Sequence, residues 1–203
     1  VLFEANKLGK QPVKMKLFIT GDKQREYTKV LAPPSTESVN AYKTKPTPTL
    51  LIRKKGEAWA NPFVVVYESF TGNKNEGHIK SVENIIQEGK FKGVIVNSKV
   101  GGKAVKQIII SQDSDDAVFE DKSMKLKFTG RYAVITLDTK SEVREVYVGS
   151  GKMLSCDNWS FTSAVNQPDS LSMHLEKNSC NVTSTQKFNL EYPKGITVKE
   201  TIL

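Results

Sequence analysis

Residues 50–70 read LLIRKKGEAWANPFVVVYESF, two apolar runs on either side of a charged, glycine-containing segment with a tryptophan and a proline at the seam. Leu50, Leu51 and Ile52 end in Arg53-Lys54-Lys55-Gly56-Glu57, which has the composition of a turn, with Gly56 free to take positive φ. Pro62 then opens a second apolar run, a position where losing one ladder N–H costs little. Phe63-Val64-Val65-Val66-Tyr67 is apolar at successive positions, so the expectation is a central strand covered on both faces. Trp59 would close one end of the core, since an indole covers much apolar area and needs one hydrogen-bond acceptor. The stretch therefore reads as a structural hairpin with a polar, basic tip.

The same signals repeat along the chain. Apolar and polar residues alternate over 13–19, and strand patterns recur at 50–53, 63–69, 78–85, 93–98 and 105–111. They continue at 117–120, 124–129, 131–137 and 143–148, with weaker patterns at 153–156, 172–176, 188–191 and 197–201. Val100-Gly101-Gly102-Lys103 is a hairpin turn by composition. Residues 79–89 are compatible with helical spacing but equally with a strand that ends in a short turn. Many short strands at regular intervals predict an all-β fold, a two-layer antiparallel sandwich or supersandwich with little helix. No repeat or biased linker divides the 203 residues, so a single domain over 1–203 is expected.

The formal charge is +8, which favours polyanionic partners. The lysines are scattered, however, and in Val13-Lys14-Met15-Lys16-Leu17 they alternate with apolar residues as on the solvated face of a sheet. No apolar run reaches the roughly 18 residues of a membrane-spanning helix. The first ten residues lack the architecture of a signal peptide. The chain opens on Val1 rather than methionine, which implies a segment upstream. Cys156 and Cys180 do not form a zinc or CxxC motif; they could pair as a disulfide or remain two buried thiols. A location outside the cytosol, in the bacterial periplasm or beyond, is the expectation.

Catalytic templates are missing from the sequence. There is no Gly-x-Ser-x-Gly elbow, no GxxxxGK[ST] loop and no GxGxxG. His78 and His174 are far apart in sequence and form no HxH or HExxH pair, so neither a catalytic nor a metal role is assigned. Asp113, Asp115, Asp116, Glu120 and Asp121 match a calcium loop in charge but not in order, and read as a solvated turn. Aromatic and basic residues do not interleave as on RNA-binding sheets, which argues against nucleic acid. No cofactor is implied.

The segment PTPTLLIRKKGEAWANPFVVVYES at 46–69, with IKSVENI at 79–85 and KFTGRYAVITLD at 127–138, resembles the C-terminal β region of heparinase II/III-like polysaccharide lyases. The resemblance runs from about residue 15 to 148 and is best at 46–68. It implies an accessory, non-catalytic sandwich that packs against an upstream helical toroid. That toroid would carry the Tyr and His of a β-elimination. Neither His78 nor His174 matches a family motif, so no catalytic residue is carried over. On this reading Arg53, Lys54 and Lys55 would face an acidic glycan, since arginine forks match carboxylate and sulfate. Trp59, Tyr67 and Trp159 would be the aromatic platforms for sugar rings. The competing expectation is a free-standing module that captures acidic polysaccharide at a cell surface.

Overall fold

The protein is described by a computed structural model covering residues 1–5, 11–20, 24–34, 46–56, 62–72 and 77–203. Among these the chain forms strands and no helix. The first five are β1 (Leu2–Ala5), β2 (Val13–Ile19), β3 (Glu26–Ala32), β4 (Thr47–Arg53) and β5 (Val65–Thr71). Next come β6 (Ile79–Gln87), β7 (Lys90–Val100), β8 (Lys103–Ser111), β9 (Val118–Asp121), β10 (Leu126–Leu137) and β11 (Val143–Cys156). The last five are β12 (Trp159–Ser163), β13 (Asp169–Glu176), β14 (Ser179–Ser184), β15 (Phe188–Glu191) and β16 (Thr197–Ile202).

Strands β10 and β11 organise the body because each belongs to two layers at once. One half of the pair lies within the run β16-β14-β13-β11-β10-β8-β7-β6; the other half carries β9 beside β10 and β12, then β15, beside β11. Side chains from both halves meet in one core. Ile108, Ile135, Val146 and Met173 come from the first layer, and Phe119, Phe128, Leu154 and Phe161 from the second. This is the expected sandwich, made by bending one sheet over on itself. The segments predicted separately at 124–129 and 131–137 are one strand, as are those at 143–148 and 153–156.

The bend has a local cause. The register shifts on both sides of Gly130, which lies opposite Gly151. Gly130 has φ +154°, and a β-carbon there would come within 2.5 Å of the Gly151 Cα and 2.6 Å of the Phe128 ring. The shifts also change the alternation, so that Leu126 and Phe128 before the bend and Ala133, Ile135 and Leu137 after it all face inward. Gln112 fastens the outside, its amide donating to the carbonyls of Ala117 (3.0 Å) and Gly130 (2.9 Å). Asp115 accepts from Ser150 Oγ at 2.7 Å and pairs with Arg131 at 3.1 Å, while Lys152 reaches Asp116 at 2.5 Å. The acidic turn thus clasps the bend.

The β7–β8 hairpin turns at Gly101 and Gly102, both with positive φ, as its sequence requires. Residues 79–87 form a strand, which resolves the helix-or-strand ambiguity there. Strand β16 lies parallel to β14, a departure from the all-antiparallel expectation.

Three expectations for the first 72 residues need correction. Strands β4 and β5 do not form a hairpin: β4 pairs with β3 in a two-stranded sheet and β5 with β2 in a sheet ordered β1-β2-β5. The apolar run at 63–67 is therefore at a sheet edge, not the centre, with Phe63 and Tyr67 exposed. A run of apolar residues reports hydrophobicity but not which neighbours are available to cover it. The lysine alternation in β2 is also inverted, since Lys14 is buried and pairs with Glu4 at 3.7 Å while Met15 is exposed. Glu68, itself buried, joins β5 to the body by accepting the backbone N–H groups of His78 and Ile79, the latter at 3.0 Å.

Candidate functional site

Arg53 ends β4 opposite Glu26 of β3, and the chain continues through Lys54 and Lys55. With Gln24, Ile52 and Phe63 these residues line an open cleft of about 680 Å³. Arg53 Nη2 contacts Glu26 Oε2 at 3.1 Å, but both side chains are mostly exposed, so the pair adds little stability. The cleft is anchored by Arg25. Its guanidinium is buried, donates to the carbonyls of Thr20 (2.5 Å) and Pro62 (2.8 Å), and lies 5.1 Å from the centre of the Phe63 ring. In the lining itself Arg53, Lys54 and Lys55 outnumber Glu26, which gives the cleft a net positive charge. Such a site suits oxyanions.

The structure brings Arg53, Lys54 and Lys55 to one cleft but does not add the expected aromatics to its lining. Tyr67 is exposed on β5, opposite Leu17. Trp159 is only 5% exposed and stacks on Phe161, with centroids 6.0 Å apart and planes 3° from parallel. Its remaining edge joins Asp157, Tyr192 and Lys194 in a different cleft of about 620 Å³. Trp59 falls outside the described residues.

His78 and His174 do not meet. His78 precedes β6, at one end of the larger layer, whereas His174 lies on β13, five strand steps away or roughly 24 Å. His78 Nδ1 contacts the Lys99 carbonyl at 3.0 Å, and His174 Nδ1 contacts Glu145 at 3.1 Å. Among the described residues no group of three or more His, Cys, Asp or Glu is arranged to hold a metal ion. Cys156 and Cys180 are free thiols within the core. Burial, with a smaller contribution from Asp157, pushes the Cys156 thiol up to about 11, and burial also raises Cys180. Both are protonated and unreactive at neutral pH.

One surface was not singled out by the sequence. The outward residues of the larger layer align in rows across hydrogen-bonded strands. One row is Gln107, Thr136, Glu145, His174, Asn181 and Lys199. The next is Ile109, Val134, Tyr147, Ser172, Thr183 and Thr201. Tyr132 stands beside Tyr147 in an edge-to-face pair, with centroids 6.2 Å apart and planes at 70°. Alternation in YAVITL and EVYV puts both tyrosines on the outward face, but only the register makes them neighbours.

Residues 79–173 match the family described as endo-acting ulvan lyase C-terminal domain. The chain is also 40% identical over 149 residues to an endo-acting ulvan lyase of Formosa agariphila, which is 73% of this chain and 18% of that protein. The chain thus spans less than a fifth of the relative it matches. No solved structure gives a significant match. The similarity is to the C-terminal part of a polysaccharide lyase, and it points to ulvan lyases rather than to heparinase II/III-like enzymes. Two of the three segments behind the earlier resemblance, 79–85 and 127–138, lie inside the matched region; 46–69, where it was best, does not.

Proposed function

We propose that this chain is a non-catalytic β-domain of an ulvan-lyase-like enzyme, holding acidic polysaccharide near a catalytic domain carried upstream. The observation that carries the reading is the match over 79–173, which runs from the start of β6 into β13 and so takes in the bent β10–β11 pair rather than a loop or an isolated motif. The net charge of +8 and the cleft lined by Arg53, Lys54 and Lys55 support an anionic polymer as ligand. Packing against a helical toroid, as the heparinase II/III resemblance implies, is the finer form of the same proposal. A location in the periplasm or outside the cell accords with a polymer too large to cross an inner membrane.

The test has two arms. The 203-residue chain mixed with ulvan should produce no rise in the ultraviolet absorbance of unsaturated uronate. In native gels containing ulvan it should be retarded, less so as salt increases, and charge reversal at Arg53 and Lys54 should weaken the retardation. Lyase activity from this chain would refute the non-catalytic assignment. Unretarded migration at low salt would refute the binding role.

A further inference from the structure

We propose that the open outer face of the larger layer is a second polysaccharide-binding surface, centred on Tyr132 and Tyr147, that takes a glycan chain laid across the strands. The inference rests on the reading of this chain as a polysaccharide-holding domain and names a different site from the basic cleft.

The face is divided unequally. Over β7 and β8 it is partly covered: Val94 and Val96 are buried although they belong outside the core cluster, and residues 62–65 face Val94 and Ile109 across a cleft of about 610 Å³. Beyond that cover the face opens. Tyr132 and Tyr147 are 40% and 47% exposed, and a shallow cleft of about 350 Å³ runs past Gln107, Thr136, Glu145, Tyr147, Ser172 and His174. From Gln107 to Lys199 the first row crosses five strand intervals, about 24 Å, with the ladder in register at every step.

The chemistry along these rows selects the ligand. Amides, hydroxyls, a carboxylate and an imidazole alternate with a few apolar groups, next to two tyrosine rings. A protein partner would call for a continuous apolar centre, which Ile109 and Val134 do not provide. A nucleic acid would call for a basic stripe, whereas Glu145 sits mid-row with His174 against it. A sugar chain presents flat C–H faces to aromatic rings and hydroxyl edges to polar side chains, and both kinds of group are here. Lys199 at the end of the row supplies a cation for an acidic residue of the polymer.

The tyrosine pair is also set in place by its floor. Gly149 lies under both rings, and a β-carbon there would stand 3.1 Å from Tyr132 Cδ1 and 3.3 Å from Tyr147 Cε1. Its missing side chain lets the rings settle against the sheet. Tyr132 and Tyr147 therefore share a seat that a larger residue at 149 would disturb from below.

The experiment is a titration of the isotope-labelled full chain with ulvan oligosaccharides, followed by nuclear magnetic resonance, together with affinity measurements on Tyr147→Ala, Tyr147→Phe and Gly149→Val. Amide shifts should cluster on the rows around Tyr147, Ser172 and His174. Tyr147→Ala and Gly149→Val should each bind at least about tenfold more weakly. Tyr147→Phe should stay near wild type, and the loss should persist at salt concentrations that abolish the effect of Arg53 charge reversal. Shifts confined to Arg53–Lys55, or wild-type affinity in both Tyr147→Ala and Gly149→Val, would overturn this face and leave the basic cleft as the binding site. No binding by the wild type would overturn both sites.

Discussion

Replacing Gly130 with alanine is the most direct test of the bent-sheet architecture. The residue has φ +154°, where an L side chain is strained by about 1–3 kcal/mol. The added carbon would also meet atoms that have nowhere to go, since the Gly151 Cα and the Ser150 carbonyl oxygen lie 2.5 Å away and both are backbone. Overpacking of this kind costs about 1–3 kcal/mol more. The sum is about 4 kcal/mol, or roughly 8–16 °C in Tm for a chain of this size. Gly102 supplies the control: its φ of +82° is also unfavourable, but nothing lies within 4 Å, so alanine there should cost only about 1–2 kcal/mol. Equilibrium unfolding in urea, read by the fluorescence of buried Trp159, gives both values. If Gly130→Ala costs no more than Gly102→Ala, the close approach at the bend is not what shapes the sheet.

Two further outcomes follow from titrating groups. The thiols of Cys156 and Cys180 should resist a thiol reagent at neutral pH in the native state and both react once urea unfolds the chain; rapid native labelling would contradict their burial. Asp138, in the turn between β10 and β11, is partly desolvated, which raises its carboxyl, but Arg144 and the amides of Lys140 and Glu142 outweigh this and leave it below its ordinary value. Its contribution is therefore full above the unfolded value near pH 4 and is lost as pH falls through the lower folded one. The stability difference between wild type and Asp138→Asn should shrink on acidification through that window, and a difference that grew instead would reverse the assigned direction.

The sequence was most informative where one face of a strand is buried and its neighbours are close in the chain. The Gly101-Gly102 turn and the alternation of 105–111 locate the β7–β8 hairpin without reference to anything distant. It misleads where identity depends on remote partners. Gly130-Arg131 looks like a break between strands, yet β11 bends alongside and keeps the ladder going. Lys14 looks like a solvated position but faces inward, because β2 pairs with β5 and β1 in a small sheet whose inner surface is partly polar. The candidate site divides in the same way. Arg53, Lys54 and Lys55 are contiguous and so remain together in the fold. Tyr67 and Trp159 are each set by a different pairing and do not join them. The neighbourhood of Tyr132 and Tyr147 depends on register shifts that composition does not encode.

Because the same two ribbons thread both halves of the sandwich, neither half can be peeled away while the other survives. A protease or a stretching load would then meet an all-or-nothing object, with no half-open form to catch. On the proposed reading of a polymer-holding domain, such resistance to piecemeal loosening would keep the grip intact under the tug of a long, mobile chain.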